Sequence, residues 1–244
     1  MVVLALDTTM RGGSCALTRD GVLVREAAGD PSAAQASRLP GELMALLEAA
    51  GTPLHEVDVF AVATGPGSFT GLRVGIATMQ GLAFAEAKPL VGVSTLDALA
   101  AVAWAAEPDS ERDRLRVATW VDAWRGDVFA ALYAAGREVQ PPSVAHPQEL
   151  LPRVGAGDGG MQNEPVLFIG DGAALHWDLI RQTLGEAARL ADPADPLLAA
   201  TIAVRATGRA RGGDLPPPHA IRPLYVRRSD AELARMTRHA GASH

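Results

Sequence analysis

The chain has 244 residues, of which 48% are hydrophobic and 20% charged, and its formal net charge is -6 at pH 7. These proportions are typical of a globular protein with one large core or two small lobes, and they exclude a disordered or fibrous chain. The negative charge argues against a protein that grips RNA by itself, because such proteins present a basic face.

The sequence also limits where the protein works and which metals it holds. The single cysteine, Cys15, excludes an internal disulfide and favours a reducing compartment. Asp7 interrupts the early apolar run, and the longest later run, 98–106, is far too short to span a bilayer. We therefore expect a cytoplasmic protein with no membrane contact. No histidine lies three or four positions from another, so we predict no metal site.

The first half of the chain alternates between strand and helix patterns. The pair Asp20-Gly21 is a strong hairpin signal between two of the strands. Apolar residues at helical spacing follow, and Gly51 and Pro53 end the first helix. The patterns predict strands at 2–6, 14–17, 22–25, 57–63 and 90–93, and helices at 42–50, 72–83 and 96–103.

A charged stretch, 107–114, separates this half from a second one and predicts a lobe boundary. We expect an N-terminal, partner-binding lobe at 1–106, a C-terminal lobe at 107–228 and a flexible tail at 229–244. The second half predicts strands at 115–121, 127–133 and 166–169, helices at 173–184 and 197–204, loops at 141–142 and 155–160, a stiff connector at 216–218 and an extended segment at 221–226.

The most informative stretch is a glycine-rich loop between the strand at 57–63 and the following helix. Its residues are Gly65, Pro66, Gly67, Ser68, Phe69 and Thr70, and either hydroxyl can cap the helix. The loop has neither the Gly-Lys-Ser/Thr ending of a P-loop nor the spacing of a dinucleotide fingerprint. Two explanations stay open, a tight structural turn and an anion site at the helix start.

Two glycines in the following helix also need an explanation. Gly71 and Gly75 lie four residues apart, and each costs about 1 kcal/mol of helix stability relative to alanine. Close packing of another helix or another chain against this side is the simplest compensation.

The glycine loop resembles the hallmark segment of the TsaB family, the partner subunit of the bacterial machinery that makes threonylcarbamoyladenosine in tRNA. Other matching segments follow in the family's order over roughly residues 1–230, which is more specific than any single motif. They are Val3-Leu4-Ala5-Leu6-Asp7-Thr8-Thr9, Gly92-Val93-Ser94-Thr95-Leu96, Val121-Asp122-Ala123 with Gly126-Asp127-Val128-Phe129, Ile169-Gly170-Asp171-Gly172, and Pro223-Leu224-Tyr225-Val226-Arg227.

The resemblance implies an α/β fold with two actin/hexokinase/Hsp70-like lobes, of the ASKHA or ribonuclease H-like type. It implies a non-catalytic subunit that binds a TsaD-like enzyme, which transfers the threonylcarbamoyl group to the adenosine next to the anticodon of tRNAs reading ANN codons. A TsaE-like ATPase belongs to the larger complex, and tRNA is contacted mainly through that complex. The basic tail that begins at Arg222 is interpreted as a solvated end, with an RNA contact as the alternative.

In nucleotide-using relatives of this fold, the end of the first strand handles phosphate and metal. The matching residues predict a residual nucleotide site, and the alternative is that they satisfy turn backbone. The chain itself is expected to need no cofactor, with ATP or ADP at or near the partner interface as a further expectation. The candidate nucleotide-binding residues are Asp7, Thr8, Thr9, Ser14 and Asp122.

The partner surface is predicted on the helix before the glycine loop and on the helix after it. Both helices carry more apolar positions than one core face needs, which favours a helix–helix interface, although core packing explains any single residue. The candidate interface residues are Leu39, Leu43, Leu46, Gly71, Leu72, Gly75, Ile76 and Met79.

The chain departs from related patterns in ways that bear on catalysis. Trp124 stands where the family has arginine, with Arg125 one position later, and Phe129 replaces a tyrosine. The helix that aligns with the metal-binding His pair of the catalytic relative, 33–40, carries no histidine, so we predict no catalytic residue in this chain. Two alternatives stay open: an ATP-hydrolysing or kinase-like enzyme using Asp7 and Asp122, and a homodimeric binding protein.

Overall fold

The computed structural model describes residues 1–32, 34–155 and 165–226, which form two five-stranded sheets. The first sheet has the strand order β3-β2-β1-β4-β5 and the second has the order β10-β9-β6-β7-β8. Their strands are β1 (Val2–Asp7), β2 (Ser14–Arg19), β3 (Val22–Ala28), β4 (Val59–Gly65) and β5 (Leu90–Ser94), then β6 (Arg116–Asp122), β7 (Val128–Ala134), β8 (Arg137–Ala145), β9 (Val166–Ile169) and β10 (Ala188–Leu190).

Each sheet begins with an antiparallel hairpin pair and adds parallel strands through helical crossovers. β1 pairs antiparallel with β2 and parallel with β4, while β6 pairs antiparallel with β7 and parallel with β9. The turn between β2 and β3 has positive φ at both Asp20 and Gly21, as a two-residue hairpin turn requires. The repeated arrangement confirms the predicted α/β, two-lobed architecture.

Eight helices of the described residues cover the two sheets. They are α1 (Gln35–Ala49), α2 (Phe69–Ala85), α3 (Thr95–Ala106), α4 (Asp109–Arg112), α5 (Pro147–Gly155), α6 (Asp171–Leu175), α7 (Trp177–Leu184) and α8 (Ala199–Arg211). In this part of the chain, no helix has the length and apolar character needed to cross a membrane.

Three groups of buried side chains hold these layers together. The largest lies between the two sheets and contains residues of both, together with those of α3 and α8. A second group lies beneath α1 and α2 on the outer face of the first sheet, and a third lies beneath α5 and α7 on the outer face of the second. Burial of these faces is the main stabilising contribution.

The last described residues pack against the first sheet. This differs from the prediction, which assigned all of 107–228 to a separate C-terminal lobe. α8 packs on β1, β2 and β4, and the backbone N–H of Leu224 donates to the Thr64 carbonyl at 2.7 Å. The Gln80 side chain donates to the Pro218 carbonyl at 2.9 Å. The chain boundary at 107 therefore does not separate two packing units, because non-local contacts place residues 198–226 beside β1 and α2.

Some predicted elements differ from the structure. Pro141 and Pro142 lie within β8 rather than in a loop, and proline is tolerated there because β8 is an edge strand. The predicted helix at 173–184 is interrupted at His176, and β10 was not predicted. The predicted loop beyond Gly155 and the predicted tail at 229–244 lie outside the described residues.

Candidate functional site

The glycine loop is fastened to the end of β1 by backbone contacts. The Ser68 N–H donates to the Thr9 carbonyl at 3.0 Å, and the Ser68 hydroxyl accepts from the Gly71 N–H at 3.2 Å, capping α2. A Cβ at Gly67 would lie 2.6 Å from the Thr9 Cβ, so a larger residue has no room there. These contacts favour the structural explanation of the loop.

Thr8 explains the two glycines of α2. Its hydroxyl donates to the Gly71 carbonyl at 2.8 Å, and its side chain is fully buried. A Cβ at Gly71 would fall on the Thr8 carbonyl oxygen, and one at Gly75 would fall on the Thr8 hydroxyl oxygen. The close packing that offsets the cost of both glycines is therefore with Thr8, directly after β1 of the same chain. It is not with another helix or another chain.

A cavity of about 470 Å³ opens where the end of β1 faces the turn between β6 and β7. Two of the five predicted nucleotide-binding residues, Thr9 and Asp122, line it. The lining residues are Thr9, Met10, Arg11, Gly12, Asp30, Pro31, Gln35, Arg38, Ser68, Asp122, Trp124 and Asp171.

The other three predicted nucleotide-binding residues make contacts inside the fold. The Asp7 carboxylate accepts from the Thr9 N–H at 2.8 Å and from its hydroxyl at 2.6 Å, and burial raises the pKa of Asp7. The Ser14 hydroxyl accepts from the N–H groups of Leu198 and Ala199 at 3.3 and 3.1 Å, at the start of α8. Ser14 and Thr8 therefore act as acceptor and donor for backbone groups, which is the structural alternative.

Two further carboxyl groups were not predicted as site residues: Asp171, which lines the cavity, and Asp195, which interacts electrostatically with Asp171 and Asp7. The Asp171 carboxylate accepts from the N–H groups of Asp122 and Gly172 at 2.9 and 2.8 Å, and burial raises its pKa. Burial, together with the charges of Asp171 and Asp7, raises the pKa of Asp195 to about 6. The segment Gly170-Asp171-Gly172 carried a sequence signal for Asp171, whereas Asp195 had none.

The turn after Asp122 is unusual in its backbone. Trp124, Arg125 and Gly126 all have positive φ, at 57°, 58° and 83°, and the Asp122 carboxylate accepts from the Trp124 N–H at 2.8 Å. Non-glycine residues in this conformation cost free energy and persist where surrounding contacts impose them. The turn leaves the Trp124 side chain 52% exposed at the cavity wall.

The cavity residues do not fit a metal-bound nucleoside triphosphate. Two of the hydroxyl groups expected to meet phosphate, those of Thr8 and Ser14, are committed to backbone groups. Asp30, Asp122 and Asp171 contribute three carboxyl groups to the walls, against the two guanidinium groups of Arg11 and Arg38. Arg38 is already paired with Glu42, so the acidic balance of the walls disfavours phosphate. Among the described residues, no group of His, Cys, Asp or Glu side chains is arranged to hold a metal ion that would offset this repulsion.

The predicted partner-interface leucines are buried instead of exposed. Leu39, Leu43 and Leu46 on α1 are 0–3% exposed. On α2, Leu72, Ile76 and Met79 are 0–4% exposed, and all six belong to the core beneath the two helices. Their side chains form no surface. The helical spacing of apolar residues that suggested an interface marks the side of each helix that faces the core.

The outward faces of α1 and α2 carry mostly small residues, with the larger apolar side chains of Met44, Phe69 and Phe84 among them and two charged residues, Glu48 and Arg73. The two helices pack against each other, so these faces are neighbours. The exposed residues are Ala36, Ser37, Pro40, Gly41, Met44, Ala45, Glu48 and Ala49 on α1, and Phe69, Thr70, Arg73, Ala77, Gly81, Phe84 and Ala85 on α2. We refer to this set as the α1/α2 face.

Comparisons with known proteins place these features in context. Residues 30–234 match the family model described as TsaD, tRNA N6-adenosine threonylcarbamoyltransferase. The chain is 37% identical over 133 residues to the tRNA threonylcarbamoyladenosine biosynthesis protein TsaB of Escherichia coli, an alignment that spans 54% of this chain and 55% of that protein.

Solved structures agree with the fold. The chain resembles an uncharacterized Pseudomonas aeruginosa protein with similarity to peptidase YEAZ, with a TM-score of 0.73 and 29% identity over 93% of this chain and 99% of that one. Component A of the (R)-2-hydroxyglutaryl-CoA dehydratase of Acidaminococcus fermentans has a TM-score of 0.52 at 12% identity, over 86% of this chain and 99% of that one, a likeness of fold alone.

Proposed function

The chain belongs to the TsaB family, whose members are named for tRNA threonylcarbamoyladenosine biosynthesis, and we propose that it is the subunit that binds a TsaD-like transferase and holds it in an active conformation. The transferase moves the threonylcarbamoyl group to the adenosine next to the anticodon of tRNAs reading ANN codons. This chain supplies a binding surface and no reacting group.

The observation that carries the proposal is the composition of the α1/α2 face. Gly41 and Gly81 lie inside helices, where each costs about 1 kcal/mol relative to alanine. Within the described residues, a Cβ at either position would meet no atom within 4 Å, so packing inside the chain does not explain them. Small, uncharged residues on two adjacent helices instead allow the backbone of a partner helix to approach closely.

The non-catalytic part of the proposal is supported by the residues at the start of α1. The segment that aligns with the metal-binding helix of the catalytic relative contains Ala34, Gln35 and Ala36 and no histidine. Gln35 instead donates to the Thr8 carbonyl at 3.3 Å. Any adenine nucleotide of the assembly is proposed to bind with residues of a partner, since the cavity of this chain does not suit a triphosphate.

The remaining contacts of the assembly follow from the same proposal. A TsaE-like ATPase joins the complex of the two subunits, and tRNA is contacted mainly through that complex. The acidic balance of the chain, with 28 acidic against 22 basic residues, supports an indirect contact with tRNA. A self-dimer through the α1/α2 face competes with the heterodimer because both use the same surface.

The first experiment tests the role in the reaction. Threonylcarbamoylation of tRNA is measured with a TsaD-like enzyme, the ATPase subunit and a source of threonylcarbamoyl-adenylate held constant, with this chain present and then omitted. We expect product only when the chain is present, and no product from the chain alone. Equal product without the chain refutes the proposal, and ATP turnover that is lost in Asp7→Ala would replace it with the enzyme alternative.

The second experiment tests the surface. Ala77→Arg places a long charged side chain in the middle of the α1/α2 face without touching the core, and Gln182→Arg adds the same charge on the exposed side of α7. We expect Ala77→Arg to weaken binding to the TsaD-like enzyme by about 100-fold or more, because an unpaired charge would be buried. Gln182→Arg should bind as the wild type does, and the midpoint of thermal unfolding should be unchanged in both.

Size-exclusion chromatography of the same variants separates the two assemblies. If Ala77→Arg abolishes both the heterodimer and any self-dimer, both assemblies use the α1/α2 face. An Ala77→Arg variant that binds the enzyme with wild-type affinity contradicts the proposed surface, whatever its effect on self-association.

A further inference from the structure

An arginine is held in a fixed orientation at one end of the α1/α2 face. The Arg73 guanidinium carbon lies 3.8 Å from the centre of the Phe69 ring, and the Arg73 Nε–H donates to the Tyr225 hydroxyl at 3.1 Å. The Phe69 and Tyr225 rings contact each other, with centroids 5.7 Å apart. Both rings are about half exposed, at 42% and 49%, so this arrangement lies on the surface.

The guanidinium keeps its terminal N–H groups free within the described residues. Arg73 uses Nε for Tyr225, and no carboxylate in the described part of the chain pairs with it. It is the single charged residue of α2, and the first turn of that helix holds no acidic residue.

Attachment of the C-terminal segment does not account for this arrangement. That segment is already held to the first sheet by the Leu224 N–H and to α2 by Gln80, which donates to the carbonyls of Pro218 and Ile221 at 2.9 and 3.2 Å. Stacking on a ring and one hydrogen bond instead reduce the rotational freedom of Arg73 before any ligand arrives. A fixed guanidinium fork of this kind matches the two oxygens of a carboxylate.

We propose that Arg73, oriented by Phe69 and Tyr225, is the docking point for an Asp or Glu carboxylate of the TsaD-like partner at the edge of the α1/α2 face. The inference rests on the proposed function and adds the chemistry of the partner's contact. Arg73 lies one helical turn from Ala77 on the exposed side of α2, so the ion pair forms beside the closely packed centre of the interface. Aromatic side chains around it exclude water and strengthen the pair.

A protein carboxylate is favoured over an RNA phosphate by the surroundings. The charged residues of the α1/α2 face are one base, Arg73, and one acid, Glu48, whereas a nucleic-acid surface needs several cations along the backbone of its ligand. The mostly uncharged, partly aromatic surface that continues from Arg73 is typical of a protein interface.

The test compares Arg73 variants in binding the TsaD-like enzyme by isothermal titration calorimetry. We expect Arg73→Gln to raise the Kd by about 30-fold or more, because the partner carboxylate loses a paired donor. Arg73→Lys should fall between Arg73→Gln and the wild type, since it keeps the charge without the fork. Arg181→Gln, which removes an exposed arginine from α7, is the matched control and should bind like the wild type. Circular dichroism and thermal unfolding confirm that each variant is folded.

Charge exchange identifies the occupant. Arg73→Glu should bind more weakly than Arg73→Gln, and one Asp→Arg or Glu→Arg substitution in the partner should restore binding to Arg73→Glu. Wild-type affinity in Arg73→Gln, while Ala77→Arg still abolishes binding, overturns this inference and leaves the proposed function standing. Absence of binding by the wild type refutes the proposed function itself. If Arg73→Gln binds the partner with an unchanged Kd but its complex no longer binds tRNA, the proposed partner carboxylate is overturned and an RNA phosphate is the ligand of Arg73.

Discussion

Substitution of Gly75 by alanine tests how α2 is held to the first sheet. A methyl group at this position would fall on the Thr8 hydroxyl oxygen and lie 3.1 and 3.2 Å from its Cγ2 and Cβ. Thr8 is fully buried between β1 and α2, so it has no free space into which to move. The substitution therefore forces either a shift of α2 or loss of the hydrogen bond from Thr8 to the Gly71 carbonyl.

The magnitude follows from three opposing contributions. Alanine stabilises a helix interior by about 1 kcal/mol relative to glycine. Overpacking of a filled core costs about 1–3 kcal/mol, and a buried hydrogen-bonding group left without a partner costs about 1–3 kcal/mol more. We expect Gly75→Ala to lower the free energy of unfolding by about 1–5 kcal/mol, which corresponds to a decrease in Tm of roughly 2–20 °C for a chain of this size.

The matched control is Gly81→Ala on the exposed side of the same helix. A Cβ there meets no atom within 4 Å, so only the helix propensity changes and we expect the free energy of unfolding to rise by up to about 1 kcal/mol. Urea and thermal unfolding, followed by circular dichroism, measure both variants. A Gly75→Ala protein as stable as Gly81→Ala would refute the close contact between α2 and Thr8.

Two further predictions concern the region around the cavity. Ser14→Ala should lower the free energy of unfolding by about 1–2 kcal/mol, because two N–H groups at the start of α8 lose their acceptor, and unchanged urea unfolding would show that Ser14 does not cap α8. The raised pKa of Asp195 means that the folded chain keeps a proton that the unfolded chain releases between pH 3.8 and about 6, so stability should fall as pH rises through this range. Asp195→Asn should flatten the dependence of the urea midpoint on pH. Equal slopes in the wild type and in Asp195→Asn would contradict the raised pKa.

The sequence by itself determined the features that depend on neighbours along the chain. The Asp20-Gly21 turn and the Ser68 cap were predictable because each is a property of a few consecutive residues. The order of strands and helices in the first sheet followed from the periods of apolar residues, which directly reflect strand and helix geometry. The resemblance of ordered motifs led to the family, and the comparisons confirm it.

Only the tertiary structure decided what those residues contact. The apolar spacing of Leu43 and Ile76 shows that each helix has an apolar side, but not whether that side meets the chain's own sheet or a partner. The partner of Gly75 lies 67 positions earlier, at Thr8, and the return of α8 to Ser14 joins residues 184 positions apart. Such contacts arise from packing of whole layers, so local sequence carries no signal for them.

The cavity shows the same division. The sequence identified Thr9 and Asp122 as residues at strand ends, and the packing of the two sheets against each other brought both to one cavity. It did not identify Asp195, which lies between β10 and α8 and interacts electrostatically with Asp7 and Asp171, two residues distant from it in sequence. Local patterns therefore determined the helices and strands of this protein. The core decides which sides of α1 and α2 are exposed, and this in turn sets the orientation of Arg73 on that surface.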